Sequence, residues 1–373
     1  MRGCPTATSS TRISAGNSPA CASPRSIPDR TSRPVPHPAL PSRSWREPVT
    51  IKPVFKDATP LSRLPDDRDF LADVLAGFAK PQKQLAAKYF YDAAGSDLFE
   101  AITRLPEYYP TRTELGILDA RGAEIAAALP RGASLVEFGS GSTVKVRRLL
   151  RHLPELAAYV PVDVSESFLR SEAEALRADF PRLRVEPVAA DFTQPFTLPQ
   201  DLGGAAFAGF FPGSTIGNFE PLEAARLLAQ FGQELGAGAS LIVGVDLVKD
   251  PSVLEAAYDD RAGVTAAFNR NLLTRINREL AGDFDPERFQ HRAVFNAAAS
   301  RIEMHLVSTR AQTVTVAARR FAFVEGETIH TENSYKYTID SFRSLALQAG
   351  WTSAAVWTDP QALFSVHALT RAE

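Results

Sequence analysis

The sequence predicts an α/β protein whose parallel, doubly wound sheet is interrupted by an inserted segment before its final elements. Three observations predict it. Apolar, β-branched runs alternate with helical segments between residues 131 and 249. A glycine-rich turn, Gly139-Ser-Gly141, lies where the first run gives way to a helix. After Asp246 the alternation breaks, and it resumes only with a helix near 341–349 and a strand at 363–369.

In chain order, residues 1–50 come first and are unlike the rest. They hold nine Ser, nine Pro and seven Arg, no Lys, only Asp29 and Glu47 as acids, and both cysteines, Cys4 and Cys21. So little apolar surface cannot offset the entropy of ordering the chain, and the segment reads as a disordered Pro/Ser/Arg-rich tail. An Arg- and Ser-rich, acid-poor make-up suits an organelle transit peptide, but the prolines oppose the amphipathic helix such a peptide forms. No apolar stretch of secretory-signal length is present. Residues 51–130 read as mostly helical: Phe70, Leu71, Val74, Leu75 and Phe78 recur at helical spacing, as do Leu115, Ile117, Leu118 and Ile125.

The sheet follows. Residues 134–138 form a buried strand, then a helix carries Val146, Leu149 and Leu150. A second strand over 158–164 contains Asp163, and Ser165 is placed to cap a helix running to Ala178. Residues 184–192 and 205–212 read as the third and fourth strands, 221–235 as a helix and 240–246 as the fifth strand. Residues 131–249 and 338–373 therefore make one domain. The insertion, residues 250–337, begins with helices over 250–282, where Val264, Phe268, Leu272 and Ile276 share a face. Strand-like alternation follows at 301–307 and 312–316. Ligands of such sheets bind beyond the carboxyl ends of the strands, so an insertion leaving the fifth strand there is placed to roof the site.

Composition limits the function classes. The 373 residues are 45% hydrophobic and 23% charged, enough for a sizeable core, and the net charge of −2 argues against nucleic-acid or membrane-surface partners. No apolar run approaches the ~18 residues of a transmembrane helix. Beyond the tail, 34 basic and 41 acidic side chains accompany no cysteine at all, which takes thiol chemistry out of the site. Two cysteines also exclude a disulfide scaffold and a Cys-rich zinc site. His291, His305 and His330 are too scattered to form a recognised metal motif, so no metal is expected. The default expectation is a cytoplasmic monomer acting on a small molecule.

The turn Gly139-Ser-Gly141 suits a ligand that approaches the backbone closely, because a Cβ would obstruct both the turn and the approach. The dinucleotide fingerprint would need glycine where Val144 stands, and no P-loop motif occurs anywhere. Asp163, at the end of the second strand, is placed to accept ribose hydroxyls. Asp191 and Phe192, ending the third, offer a polar contact and an apolar face to an adenine. Ribose and adenine without a diphosphate point to S-adenosylmethionine. Taken singly, either aspartate has an ordinary turn-forming or capping role as its alternative.

The 26-residue stretch from Tyr89 to Glu114, containing Tyr91-Asp-Ala-Ala-Gly95 and Glu107-Tyr108-Tyr109-Pro, resembles the N-terminal signature of the histidine N-alpha-methyltransferase family of ergothioneine biosynthesis. The resemblance continues through 211–218, 246–250, 257–260, 268–271, 301–304 and 331–334, and covers essentially residues 60–370. It implies a class I methyltransferase fold, Rossmann-like, with an additional substrate-binding domain formed by the insertion and the N-terminal helices. It further implies that Gly139, Gly141, Lys145, Asp163, Asp191 and Phe192 contact S-adenosylmethionine, and that Tyr108, Asn218, Tyr258, Glu332 and Ser334 contact the amino acid. Tyr91 would stand near the reacting amine and Met304 in the imidazole pocket.

The chemistry implied is trimethylation of the α-amine of L-histidine to hercynine. A sulfonium methyl is already activated, so the protein's tasks are alignment and a free-base amine. A tyrosine hydroxyl such as Tyr91 suits orientation of the amine lone pair better than strong-base work. Glu332 and Ser334, two apart on an extended segment, share a face, and a carboxylate with a hydroxyl matches the two imidazole nitrogens. Asn333 stands between them, and Tyr335-Lys336-Tyr337 follow. Related enzymes act on other amino acids such as tryptophan derivatives, which is the second reading; a non-catalytic sensor of cofactor or histidine is the third.

Overall fold

The computed structural model describes residues 67–371 apart from 200 and 203–205, so the tail at 1–50 and residues 51–66 of the N-terminal region lie outside the described residues. The N-terminal region gives α1 (Asp67–Phe78), a two-residue strand β1 (Lys83–Gln84), a 3-10 turn at Ala87–Phe90, α2 (Ala93–Ile102) and α3 (Tyr109–Ala127). Asp92 starts α2 by accepting the Gly95 amide at 2.8 Å, and Pro110 starts α3, where a missing N–H costs nothing.

Then the alternation begins: β2 (Ser134–Phe138), α4 (Val144–Leu150), β3 (Ala158–Asp163), α5 (Glu166–Asp179), β4 (Arg184–Val185), β5 (Val188–Ala189), β6 (Phe207–Phe211), α6 (Pro221–Leu235) and β7 (Ser240–Asp246). These strands are parallel; β2, β3, β6 and β7 are buried almost throughout, as expected of a sheet covered on both faces, while the short β4 and β5 are partly exposed. The expected third strand at 184–192 divides into β4 and β5, because Pro187 between them has no N–H for the ladder. Ser165 does stand at the N-cap of α5, but its side chain makes no capping bond; its own amide donates to Asp163 Oδ1 at 3.0 Å.

The interruption comprises α7 (Pro251–Tyr258), α8 (Val264–Leu280), β8 (Phe289–Asn296), β9 (Arg301–Ser308), the hairpin β10 (Gln312–Val316) and β11 (Arg319–Phe323), and β12 (Thr328–Tyr335). The chain ends with α9 (Ile339–Gln348), β13 (Trp351–Thr358) and β14 (Phe364–Arg371). β14 runs antiparallel to both β7 and β13, so the last strand closes the sheet as a hairpin and the sheet is mixed. β13 carried no clear signal in the sequence because it is an edge strand with only Trp351 fully buried.

The large sheet has the order β13-β14-β7-β6-β2-β3-β4, with β5 also on β3. The chain leaves β2 in one direction through β3 and β4, then returns across β2 to β6 and β7. That reversal opens a crevice at the carboxyl ends of β2 and β6. One face packs against α6 and α9 around Phe138, Phe211 and Phe231, the other against α3, α4 and α5 around Leu135, Phe210 and Ile242. A second sheet, β1-β12-β9-β8, takes its edge strand from the N-terminal region. The two segments share one core, in which Phe90, Tyr108, Phe268, Leu272 and Met304 meet.

Trp351 shows how much the hairpin contributes: it is fully buried and its indole N–H donates to the Leu228 carbonyl of α6 at 2.8 Å. Trp351→Ala should lower the unfolding free energy by about 3–5 kcal/mol, measured from urea midpoints at constant slope. A loss below about 1 kcal/mol would show that the hairpin is not part of the cooperative core.

Candidate active site

At the crevice, Gly139 adopts φ +75°, a conformation L side chains resist, and a Cβ there would stand 3.2 Å from the Phe192 ring. The turn is held by the Gly139 and Ser140 amides, both donating to Val162 O at 2.9 and 3.0 Å. Nothing stands within 4 Å of where a Cβ of Gly141 would be, so this side of the turn is open to a ligand. Asp163 ends β3 beside it; burial raises its carboxyl above the ordinary value, opposed by the Ser165 and Val164 amides. Asp191 closes a turn, accepting the Thr193 amide at 2.9 Å and hydroxyl at 2.6 Å. Phe192 packs edge-on against Phe211, its ring seated across the glycine turn. Lys145, from α4, pairs with buried Glu114 of α3 at 2.7 Å, and Glu114 accepts the Gly213 amide through both oxygens. Glu137 is buried in the same strand end, bonded by Tyr159 and Ser140, and burial pushes its carboxyl up to about 8.

Above this crevice a narrow cleft is lined by Tyr91, Phe99, Tyr108, Tyr258, Phe268, Met304 and Glu332, among others. Residues separated by up to 241 positions therefore meet in one cavity. Tyr91 is placed by its neighbour: Asp92, besides capping α2, accepts Asn271 Nδ2 and Arg278 Nη2 of α8, each at 2.7 Å. Tyr91 is the most exposed of the site tyrosines at 46%, yet its phenol is raised above the ordinary range, first by surrounding protein and then by the charge of Glu332. The Asp163 charge acts on it too, so Tyr91 stands where the crevice and the cleft meet. A raised phenol stays protonated at neutral pH and serves as a donor or acceptor of hydrogen bonds. Its ring, with Phe99, Phe268, Tyr108 and Tyr258, forms a run of edge-on aromatic contacts 5.6–6.3 Å apart.

Glu332 on β12 sits opposite Met304 on β9. Burial pushes its carboxyl up to about 7, against the Lys336 charge that favours ionisation. Ser334, also on β12, is 2.7 Å from the Tyr258 hydroxyl. Asn333 points away from this cavity, donating to Glu220 at 3.1 Å, so it does not reshape the pocket. Asn218 is not part of the cleft wall. It ends a 3-10 turn, Thr215–Asn218, pressed against β12 so closely that a Cβ at Gly217 would lie 2.7 Å from Tyr335 O.

The sequence reading missed the groups beneath the cleft. Asp246, fully buried at the end of β7, is bonded by Tyr109 at 2.8 Å, Lys249 at 2.6 Å and Lys336 at 2.7 Å. Asp246, Tyr109 and Lys249 lie inside stretches that carry the family resemblance, but nothing local shows that they converge. Likewise, His305 and His330, scattered in sequence, become cross-strand partners with stacked rings 4.8 Å apart, and Glu303 lies beside them. Glu303 is held by Arg301 at 2.8 Å, which brings a positive charge to this cluster.

A six-strand parallel run ending in an antiparallel strand inserted beside the last parallel one, with a glycine turn and two terminal aspartates at the crevice, defines a class I methyltransferase fold carrying an added substrate-side sheet. Residues 70–371 match the family described as histidine-specific methyltransferase, SAM-dependent. The chain is 45% identical over 305 residues to the histidine N-alpha-methyltransferase of Mycolicibacterium smegmatis, covering 80% of this chain and 94% of that protein. It is 44% identical over 306 residues to the protein of the same name from Mycobacterium tuberculosis, with 80% and 94% covered. Ergothioneine biosynthesis protein 1 of Neurospora crassa is 30% identical over 291 residues, 74% of this chain and 32% of that one. The chain belongs to the histidine-specific, S-adenosylmethionine-dependent methyltransferase family.

The two glycines of the turn should respond differently to a methyl group. Gly139→Ala, at positive φ and against Phe192, should cost about 1–3 kcal/mol of stability. Gly141→Ala, facing open space, should stay within about 0.5 kcal/mol of the parent. Thermal melts of both variants check this, and equal losses would show that the turn conformation is not what selects glycine.

Proposed function

We propose that this chain transfers three methyl groups in succession from S-adenosylmethionine to the α-amine of L-histidine, forming hercynine, the first step toward ergothioneine. The observation that carries the proposal is the meeting of Tyr91, Tyr108, Tyr258, Met304 and Glu332 in one cleft, in a member of a histidine-specific family. The names of the mycobacterial relatives support it. On this reading residues 131–249 and 338–373 hold the cofactor, and residues 51–130 and 250–337 hold the substrate.

S-adenosylmethionine supplies an activated sulfonium methyl. Toward it, the Gly139–Gly141 turn leaves room for the cofactor's main chain, Asp163 accepts the ribose hydroxyls, and Asp191 with Phe192 bounds the adenine; Lys145 contributes positive charge beside its Glu114 partner. The open face at Gly141 and the raised carboxyl of Asp163 fit such a ligand. On the substrate side, Tyr108 and Tyr258 hold the carboxylate and amine. The Tyr91 hydroxyl accepts an amine N–H, which directs the nitrogen lone pair at the methyl. Ionised Glu332 accepts the imidazole N–H, Ser334 donates to the other ring nitrogen, and Met304 packs beneath the ring. Holding nucleophile and methyl in line supplies on the order of 7–11 kcal/mol of barrier reduction. The aromatic wall is also a favourable surface for the growing methylammonium, a cation that attracts ring faces.

Incubation with histidine and S-adenosylmethionine should yield products heavier by one, two and three methyl replacements in a mass spectrum; no methylated histidine from folded protein would overturn the proposal. Glu332→Ala should raise the histidine KM roughly ten- to a hundredfold, the scale of a hydrogen bond to a charged group, while the cofactor KM stays near that of the parent. Equal effects on both constants would remove Glu332 from the substrate pocket.

The pH profile gives a separate test. Because the Glu332 carboxyl is raised to about 7, the acceptor form is scarce below that pH and dominant above it. kcat/KM for histidine should therefore rise through an inflection near neutrality, beneath the further rise from amine deprotonation. Glu332→Gln should lose that inflection, and an unchanged profile in the variant would assign it to another group.

A further inference from the structure

Lys336, directly after β12, is fully buried and has no exposed face through which it could meet solvent. Its ammonium has three N–H bonds, and three acceptors surround it: Asp246 Oδ2 at 2.7 Å, Ser334 Oγ at 2.8 Å and the Tyr258 hydroxyl at 2.9 Å. An ammonium donates and cannot accept, so both hydroxyls act as acceptors toward it. Each hydroxyl keeps one hydrogen. One of these two hydrogens makes the 2.7 Å bond between Tyr258 and Ser334. The other is left to donate elsewhere, and Tyr258 lines the cleft. The chain of bonds therefore runs one way, from the ammonium through the hydroxyl pair to an acceptor in the cleft.

Lys249 provides the internal comparison. It pairs with the other oxygen of the same carboxylate, Asp246 Oδ1, at 2.6 Å, and bonds the Tyr109 hydroxyl at 2.6 Å and the Leu247 carbonyl. It is equally part of the buried charge row but touches neither Tyr258 nor Ser334. Two cations flank one anion, so the row carries one excess positive charge under a cleft whose wall includes Glu332.

We propose that Lys336 is a positioning residue that sets the polarity of substrate recognition, fixing the Tyr258–Ser334 hydroxyl pair as a net donor toward an acceptor atom of the bound amino acid. This rests on the histidine-methylating reading of the site. Lys336 has a second effect on the same cleft, since its charge favours the ionised form of Glu332. Without the ammonium, the hydroxyl pair is free to reverse and present a lone pair instead, which repels an acceptor atom of the substrate. Other charged or titratable groups packed around the ammonium are Asp246 on β7, Lys249 after it, Tyr109 on α3, Tyr258 on α7 and Glu332 on β12.

The test compares Lys336→Met with Lys249→Met in the full chain. Each removes one of the two cations of Asp246, so both should melt at lower temperature than the parent. Lys336→Met should raise the histidine KM at least tenfold with the cofactor KM within threefold, and should move the near-neutral inflection of kcat/KM to higher pH. Lys249→Met should leave the histidine KM within threefold and the inflection in place. Equal rises in both variants, or an unchanged histidine KM in Lys336→Met, would overturn the proposal and leave Lys336 a structural cation. Should Lys336→Met fail to fold, the triple variant K336M/K249M/D246N leaves no charge in the row; the tenfold rise is expected there too, and a parental KM in it would likewise overturn the proposal. A parent protein inactive on histidine would instead overturn the reading on which the proposal rests.

Discussion

The buried carboxylate of Asp246 is the interaction on which the rest of the structure depends. It ends β7, where the regular sheet stops, and four segments converge on it. Tyr109 reaches it from α3, Lys249 from the loop leaving β7, Lys336 from the end of β12, and its own amide donates to Ser214 in the loop after β6. An isolated charge at this depth would cost several kcal/mol, and removing one partner of such a cluster typically costs 3–5 kcal/mol. The carboxylate is instead held below the ordinary range, because the attraction of two lysines outweighs burial. The same contacts that neutralise it fix where the inserted segment joins the sheet.

That junction explains how a two-sheet molecule makes one site. The crevice of the large sheet presents a glycine turn and carboxylates, while the small sheet and α8 present aromatic rings and Glu332. Tyr91 stands between them and is sensitive to the charges of both Asp163 and Glu332. Burial raises Glu332 and Tyr91 together, so the cleft rests near neutral pH with a phenol that stays protonated and a carboxyl poised to ionise.

The parallel sheet was legible in the sequence because strands buried on both faces read as continuous apolar runs, and their order of appearance is dictated by chain connectivity. Of the small sheet only β9 was legible, at 301–307; β8 carries polar side chains such as Gln290 and Arg292 at alternate positions, and the edge comes from Lys83–Gln84 far away. Of the candidate residues, Tyr91, Tyr108, Tyr258, Met304 and Glu332 meet in the cleft, and Ser334 is bonded to its wall. Asn218 stands apart on its turn, and Asn333, flagged for its place between two pocket residues, faces outward to Glu220.

What the sequence determined by itself was local or periodic: the alternation that makes the sheet, the glycine that positive φ at 139 demands, and the long N-terminal signature of the family. What only the tertiary structure decided was long-range. The pairing of β9 with β12 stacks His305 on His330 and sets Glu332 opposite Met304, and the folding of β7, α3 and β12 together makes a buried ion row from Tyr109, Asp246, Lys249 and Lys336. Nothing in the text around Lys336 separates a buried ammonium from an exposed one. That difference comes from desolvation and from partners up to 90 positions away, and both exist only once the chain has closed on itself.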